Sequence, residues 1–438
     1  MDWLGILGIF VALALFIILS MRSFNVMITA PLTALIIIVT NRMDVVSFFL
    51  TDPKLSYLSG VGGFVTKNLL IFLLSALLGK YIEVSGASKS IANTMIKVVG
   101  KDSPFKMMMG VLLIGAVLTY GGVSMFVVMF AIIPLARPLF KEFNVPWHLF
   151  VIPFAAGTSS FTMAMLPGTP GLQNVIPAQA MGTPLTAAAP LGLIAAVVTF
   201  AYTVFYMKRQ LKRSLAAGEV YNGPAEAAAE EEKNLPSFGL SITPLVVLVV
   251  ILIGGSQLKI SNIIYIGLVI SILLAALLFN SRIKSQKDVL GSGAQNCLQP
   301  VLYTAAAVGI GAVIGAAPGF EVINQGIANM PGGPLVSAAT LSGVLAGIIG
   351  SGSGALGIVT QFFLDPYLAT GVNPEVLHRV ISISASTFGA LPNSGAMFGM
   401  FAAMALTHKE AYKHMFNVVV VGQTLAMVVI IALSGVFY

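Results

Sequence analysis

Two short stretches of this chain carry helix-breaking and polar residues at a spacing that can do chemistry. The first reads Leu166-Pro167-Gly168-Thr169-Pro170-Gly171, with Gln173 and Asn174 just beyond it; the second reads Leu391-Pro392-Asn393-Ser394-Gly395. Proline removes a backbone donor and pushes the residue before it away from helix, so each stretch ends one helix and begins another. Thr169 is a good N-cap and Pro170 suits the first helical position, which predicts a restart near Pro170. Asn393 or Ser394 is expected to cap the second restart. A helix start offers unpaired N–H groups and about half a positive charge, a ready site for an anion.

Two glycine-rich stretches extend the pattern, Tyr120-Gly121-Gly122-Val123-Ser124 and Gly350-Ser351-Gly352-Ser353-Gly354. Their glycines let a backbone approach a ligand closely, and Ser124 and Ser353 are placed to cap the helices that follow. Four helix N-termini can then converge. The candidate substrate-binding residues are therefore Gly121, Gly122, Ser124, Thr158, Ser159, Thr169, Gly171, Gln173, Asn174, Ser351, Gly352, Ser353, Thr387, Asn393, Ser394 and Gly395. For Thr158, Ser159, Ser160, Thr162, Ser384, Ser386 and Thr387, bonding between helices and contact with a ligand are both open. The pairs Gly343/Gly347 and Gly311/Gly315 read as close helix packing.

The elements that must position these residues lie in lipid. Of 438 residues, 57% are hydrophobic and 9% charged, whereas a soluble domain is about a quarter charged, so the chain is a polytopic membrane protein. The run from Leu4 to Ser20 follows an acidic start and lacks a small-residue cleavage site, so it reads as a first span and not a removable leader. The net charge of +7 is scattered between apolar runs and marks topology, not nucleic acid. A single cysteine, Cys297, excludes an internal disulfide and a multi-cysteine metal site. No metal, no cofactor and no enzymatic activity are expected: His408 and His414 lack the i, i+4 spacing of a helical zinc pair, and neither a GxSxG elbow nor a phosphate loop occurs.

Apolar runs long enough to span fall near 4–20, 24–40, 61–80, 148–180, 185–206, 240–257, 262–280, 298–317, 376–407 and 415–437, about ten crossings. The stretches 105–140 and 335–369 carry their glycine breaks at membrane depth and read as re-entrant hairpins. The order span, span, span, hairpin, broken span, span occurs twice, and TMAMLP at 162–167 echoes TFGALP at 387–392. The expected fold is thus all-α, with two repeats of about five transmembrane helices each, every repeat including a re-entrant hairpin and a broken helix. Five crossings per half invert the second repeat, a pattern of transporters. The repeats are expected at 1–206 and 240–438, joined by a cytoplasmic linker at 207–239 that carries no site. With the N-terminus outside, only Arg42, Lys54, Lys67, Lys259 and Arg379 of the 23 basic residues fall outside, which also places the C-terminus outside. Span centres then hold no charge, which disfavours a cation exchanger built on buried carboxylates. Glu83, Glu321 and Asp365 lie near helix ends, and His148 and His378 at the mouths of the broken spans.

This layout, and above all Leu166-Pro167-Gly168-Thr169-Pro170-Gly171-Leu172-Gln173-Asn174-Val175-Ile176-Pro177, resembles the gluconate permease (GntP) family of the ion transporter superfamily. The resemblance spans nearly all of the chain except the linker. It implies an inner-membrane homodimer, with a scaffold and a moving elevator part, that imports a small organic anion with protons. Hairpin tips and helix breaks would form its substrate and cation sites. Gluconate members carry a Pro-Pro-His-Pro-Gly-Pro-like stretch where this chain has Pro167-Gly168-Thr169-Pro170-Gly171, so the expected substrate is a hydroxy or sugar carboxylate as a class. The alternatives are a sodium-coupled carboxylate symporter and a cation/proton antiporter.

Overall fold

The computed structural model describes residues 3–21, 24–99, 103–123, 125–223, 235–258, 260, 262–320, 322, 330–392 and 394–438. Among them every regular element is helical. In the first half these are α1 (Trp3–Met21), α2 (Val26–Thr40), α3 (Tyr57–Val84), α4 (Ala87–Val99), α5 (Pro104–Tyr120), α6 (Met125–Glu142), α7 (Val151–Thr158), α8 (Phe161–Ala164), α9 (Leu172–Met181) and α10 (Ala189–Ala216). The second half has α11 (Phe238–Gln257), α12 (Ile263–Leu278), α13 (Gln286–Ala316), α14 (Gly333–Ile349), α15 (Gly352–Ile358), α16 (Leu364–Ala369), α17 (Pro374–Phe388), α18 (Gly395–Met404), α19 (His408–Met415) and α20 (Gly422–Phe437). Wide-pitched π segments join α15 to α16 (Val359–Phe363) and α19 to α20 (Phe416–Val421).

Local sequence explains where these helices start. Ser56 and Ser285 accept from the backbone N–H of Ser59 and Asp288, and Ser103 accepts from that of Lys106 with Pro104 at the first helical position. Asn373 caps α17 ahead of Pro374, and Thr407 with Glu410 forms a reciprocal capping box on α19.

By length and composition α10, α13 and the run His408–Phe437 can each cross a bilayer. So can α3 when its halves Tyr57–Thr66 and Asn68–Val84, bent by 49°, count as one span. Among the described residues α2, α5, α12 and α14 are shorter apolar helices of 10–17 residues; α5 and α6 meet at a tip, as do α14 and α15. The result is a multi-pass, all-helical membrane protein.

Helix pairing in the first half recurs in the second. α1 packs on α2 and α11 on α12; α5 packs on α7 and α14 on α17; α2 touches α13 and α12 touches α3. α3 with α13, and α10 with α20, form the seams between halves.

One expectation is corrected in part. Residues 207–216, read as the start of a flexible linker, continue α10, because Lys, Arg, Gln and Leu are strong helix formers. Beyond it, Asn222 accepts from the N–H of Trp147 and Asn144 accepts from that of Tyr221, which ties the chain to the start of the broken helix. The rest of the linker, 224–234, lies outside the described residues, as does Glu321. Also unforeseen is α4, whose lysines 89 and 97 lie on an amphipathic rather than a uniformly apolar helix.

Candidate functional site

Both interruptions are present. The first separates α8 from α9 by residues 165–171, and the second separates α17 from α18 by residues 389–394. Helix α9 begins at Leu172 with Gly171 as its N-cap, so the predicted start at Pro170 with Thr169 as cap is corrected. Thr169 is fully buried, and its hydroxyl donates to the carbonyl of Thr162 (2.7 Å) while accepting from the N–H of Gly171 (3.3 Å). The carbonyl of Thr162 lies in the last turn of α8 and lacks a helical partner, so it takes the hydroxyl that would have capped α9.

Each hairpin tip sits on the broken helix of its own half. Gly122 turns the first tip at φ +87°, which favours glycine, and a Cβ there would lie 3.1 Å from Cγ of Pro170. Tyr120 donates to the carbonyl of Pro167 at 2.8 Å. Gly121 closes α5 against Leu245. In the second half Gly352 lies against the carbonyl of Ala385, at 2.8 Å from where its Cβ would be. Arms also reach across: α15 touches α9, and α6 touches α18.

The hydroxyls flanking the breaks mostly bond within the protein. Thr158, Ser160 and Thr387 each donate to the carbonyl four residues back, at 2.8, 2.5 and 2.7 Å. Ser384 crosses to the carbonyl of Ala339, and Ser159 donates to the sulfur of Met125 at the start of α6. Thr119, which the sequence did not single out, donates within reach of Gly115, Gly157 and Thr162 and so ties α5 to the first broken helix.

The second tip has its cap at Ser351, which accepts from the N–H of Gly354 at 3.2 Å; the expectation that Ser353 would cap is corrected, and Ser353 instead lies 3.3 Å from the Ser351 hydroxyl. Replacing Ser351 with Ala is expected to lower stability by about 1 kcal/mol, the usual loss for an N-cap, read as a lower melting temperature of the purified protein. Ser394 is buried immediately before Gly395, the first residue of α18. The expected roles of Ser124 and Asn393 lie outside the described residues.

Asn174 is the junction of the two broken helices. Its amide donates to the carbonyls of Thr169 and Leu185, each at 2.9 Å, and its Oδ1 accepts from Nε2 of His378 (3.0 Å) and NH1 of Arg379 (3.2 Å). All four of its hydrogen-bonding positions are taken. Arg379, expected in an external loop, is fully buried on α17: NH1 donates to the carbonyl of Ala164 (2.6 Å), and Nε and NH2 to that of Ala187. Ala164 ends α8, so the guanidinium satisfies a carbonyl that the break leaves without a helical partner. Charge bookkeeping over loops missed this residue because a long side chain leaves the position where its helix starts. The signal that could have found it is a His-Arg pair one turn inside the Asn373-Pro374 cap.

Gln173, beside Asn174, differs from it. Its Oε1 is buried and has no hydrogen-bond partner in the first turn of α9. A cavity of about 1160 Å³ lies along the flank of α9, reaching the 182–188 loop and the start of α10, Asn68 on α3, and Thr360 and Gln361 on the π segment. It exceeds the roughly 300–1,000 Å³ of an enclosed ligand pocket and has the size of an open vestibule. Neutral amides and hydroxyls supply most of its polar groups; Glu375, which accepts from the N–H of Ala188 at 2.9 Å, adds a carboxylate. None of the fourteen candidate residues that are described lines it, although Gln173 and Asn174 immediately precede its wall residues Val175 and Ile176.

Comparisons with known proteins agree with this architecture. Residues 4–436 match the model of the GntP family permeases. An uncharacterized transporter of Bacillus subtilis (strain 168), YxjC, is 34% identical, with 98% of each chain covered. An uncharacterized permease of Haemophilus influenzae is 25% identical over 79% of this chain and 74% of its own. In fold the chain resembles the crystal structure of the YdaH transporter of Alcanivorax borkumensis, with a TM-score of 0.58 at 14% identity, covering 87% of this chain and 88% of that one. With the family match running nearly end to end over a twice-broken, twice-hairpinned helical core, this chain belongs to the GntP family of permeases.

Proposed function

We propose that the protein imports a small hydroxy or sugar carboxylate in symport with protons, its two halves being inverted repeats around the broken helices. The observation that carries this reading is the pairing, in the first turn of α9, of a helix N-terminus with the unpartnered Oε1 of Gln173. N–H groups at a helix start suit a carboxylate, and a buried acceptor beside them suits a substrate hydroxyl. A hydroxy acid supplies both. An unsatisfied buried carbonyl costs on the order of 1–3 kcal/mol, so a ligand that donates to it recovers that loss.

The recurrent helix pairing supports the inverted repeat. The hairpins would move with the broken helices they touch, against a scaffold that includes α3 and α13, and the cavity between α3 and α9 would be the external approach. Two such subunits would form the homodimer in the inner membrane, with both chain ends outside.

Binding tests the reading directly. Lactate, glycerate and gluconate should raise the melting temperature of the purified protein, while propionate and glycerol, which lack one of the two groups, should raise it less. At a hundredfold excess over its dissociation constant a ligand adds about 2.7 kcal/mol. Gln173→Leu should remove the advantage of the hydroxy acids over propionate. Equal shifts from lactate and propionate, or no shift from any carboxylate, would count against it.

A further inference from the structure

The buried network around Asn174 also fixes the protonation pattern of a histidine. Because the Asn174 amide nitrogen donates to two carbonyls, its oxygen is the atom that faces His378. That oxygen can only accept, so Nε2 of His378 carries a hydrogen and, in the neutral ring, Nδ1 presents a lone pair. Nδ1 lies 2.7 Å from the hydroxyl of Thr183, which therefore donates to it. Thr183 lines the cavity and His378, fully buried, does not. One hydroxyl separates a buried proton acceptor from the route of the substrate.

We propose that the coupling proton binds Nδ1 of His378, and that the Thr183 hydroxyl, just past the C-terminal end of α9, then turns to donate to the substrate carboxylate while it passes through the cavity on its way to the first turn of α9. Once Nδ1 carries a hydrogen it donates to the Thr183 oxygen, and the hydroxyl hydrogen must point elsewhere. The Thr183 O–H bond breaks as its hydrogen passes to Nδ1, and the Thr183 oxygen takes a proton from a hydronium ion in the cavity, which becomes water; no bond between heavy atoms is made or broken, and release reverses the sequence. The charged group that bears on His378 is Arg379, and Glu375 on α17 and Tyr438 at the end of the last helix bear on Arg379 in turn. Among the described residues, α8, α9, α14, α15 and the π segment Phe416–Val421, which also pack on α17, present no ionisable side chain to it, and α10 meets α17 beside Gly192. A proton on His378 adds a second positive charge beside Arg379, and a carboxylate at Thr183 offsets it. Each ligand therefore favours the other by the same factor, which is the thermodynamic content of symport.

This inference rests on the symport reading, and the test separates the two. In proteoliposomes loaded at higher internal pH, uptake of labelled lactate and gluconate is measured for wild type, His378→Gln, Thr183→Val and Thr183→Ser. With one proton per anion, wild type accumulates its substrate up to roughly tenfold per unit of pH gradient. His378→Gln and Thr183→Val should show no gradient-driven accumulation, and any remaining exchange at equal pH should lose its dependence on pH. Thr183→Ser, which keeps the hydroxyl, should accumulate like wild type. Wild-type accumulation by His378→Gln or by Thr183→Val overturns the assignment while leaving symport intact. If His378→Gln does not fold, the contrast between Val and Ser at position 183 decides. Failure of wild type to accumulate either anion overturns the symport reading and this assignment with it.

Discussion

Replacing Arg379 with Met should cost the protein about 2–4 kcal/mol of stability, seen as a large drop in melting temperature and poor recovery from detergent. Two terms oppose each other. Removing a buried cation recovers its desolvation cost, which is several kcal/mol, and where every partner can be replaced as well such exchanges are often neutral. Here the partners at Ala164 and Ala187 are main-chain carbonyls that no substitution removes. Met leaves both without a donor in a buried site, at about 1–3 kcal/mol each, and also takes one donor from Asn174. The carbonyl term wins because the guanidinium serves two separate oxygens with separate N–H groups. Arg379→Lys keeps the charge but not the planar fork, and should recover less than half of the loss.

Gly389→Ala should leave a folded protein that scarcely transports. A Cβ at Gly389 would collide with the backbone nitrogen of Gly352, so the second hairpin tip could not seat on the broken helix. Neither partner is the flexible end of a side chain, and overpacking of this kind costs about 1–3 kcal/mol. The larger effect is positional. A displacement of roughly 1 Å in a group that shapes a site can cost on the order of 10²-fold in rate, and that is the expected fall in uptake. Gly254→Ala, where an added methyl meets nothing within 4 Å, is the matched control and should behave as wild type.

Much of this architecture was legible because proline and glycine act locally. Pro167, Pro170 and Pro392 mark the breaks, and the glycines at 121–122 and 350–352 mark the tips, whatever surrounds them. Thr169 shows where locality fails: its sequence position suits a cap, yet a carbonyl seven residues back takes its hydroxyl. Asn174 sits in the expected place, but its partners include residues 204 and 205 positions away, which no local pattern reports. The π segment Val359–Phe363 has no sequence signature, although Thr360 and Gln361 on it face the cavity. Arg379 was misplaced for a different reason: counting charges by loop assumes that basic residues stay in water, and this one is held by backbone oxygens inside the core.

The most direct measurement is uptake of lactate, glycerate, gluconate, citrate and succinate into proteoliposomes under an imposed pH gradient, with and without sodium. The expected result is accumulation of at least one hydroxy acid against its own gradient, abolished by a protonophore and indifferent to sodium. Accumulation that follows only a sodium gradient, or none for any of the five anions, would contradict proton-coupled carboxylate import.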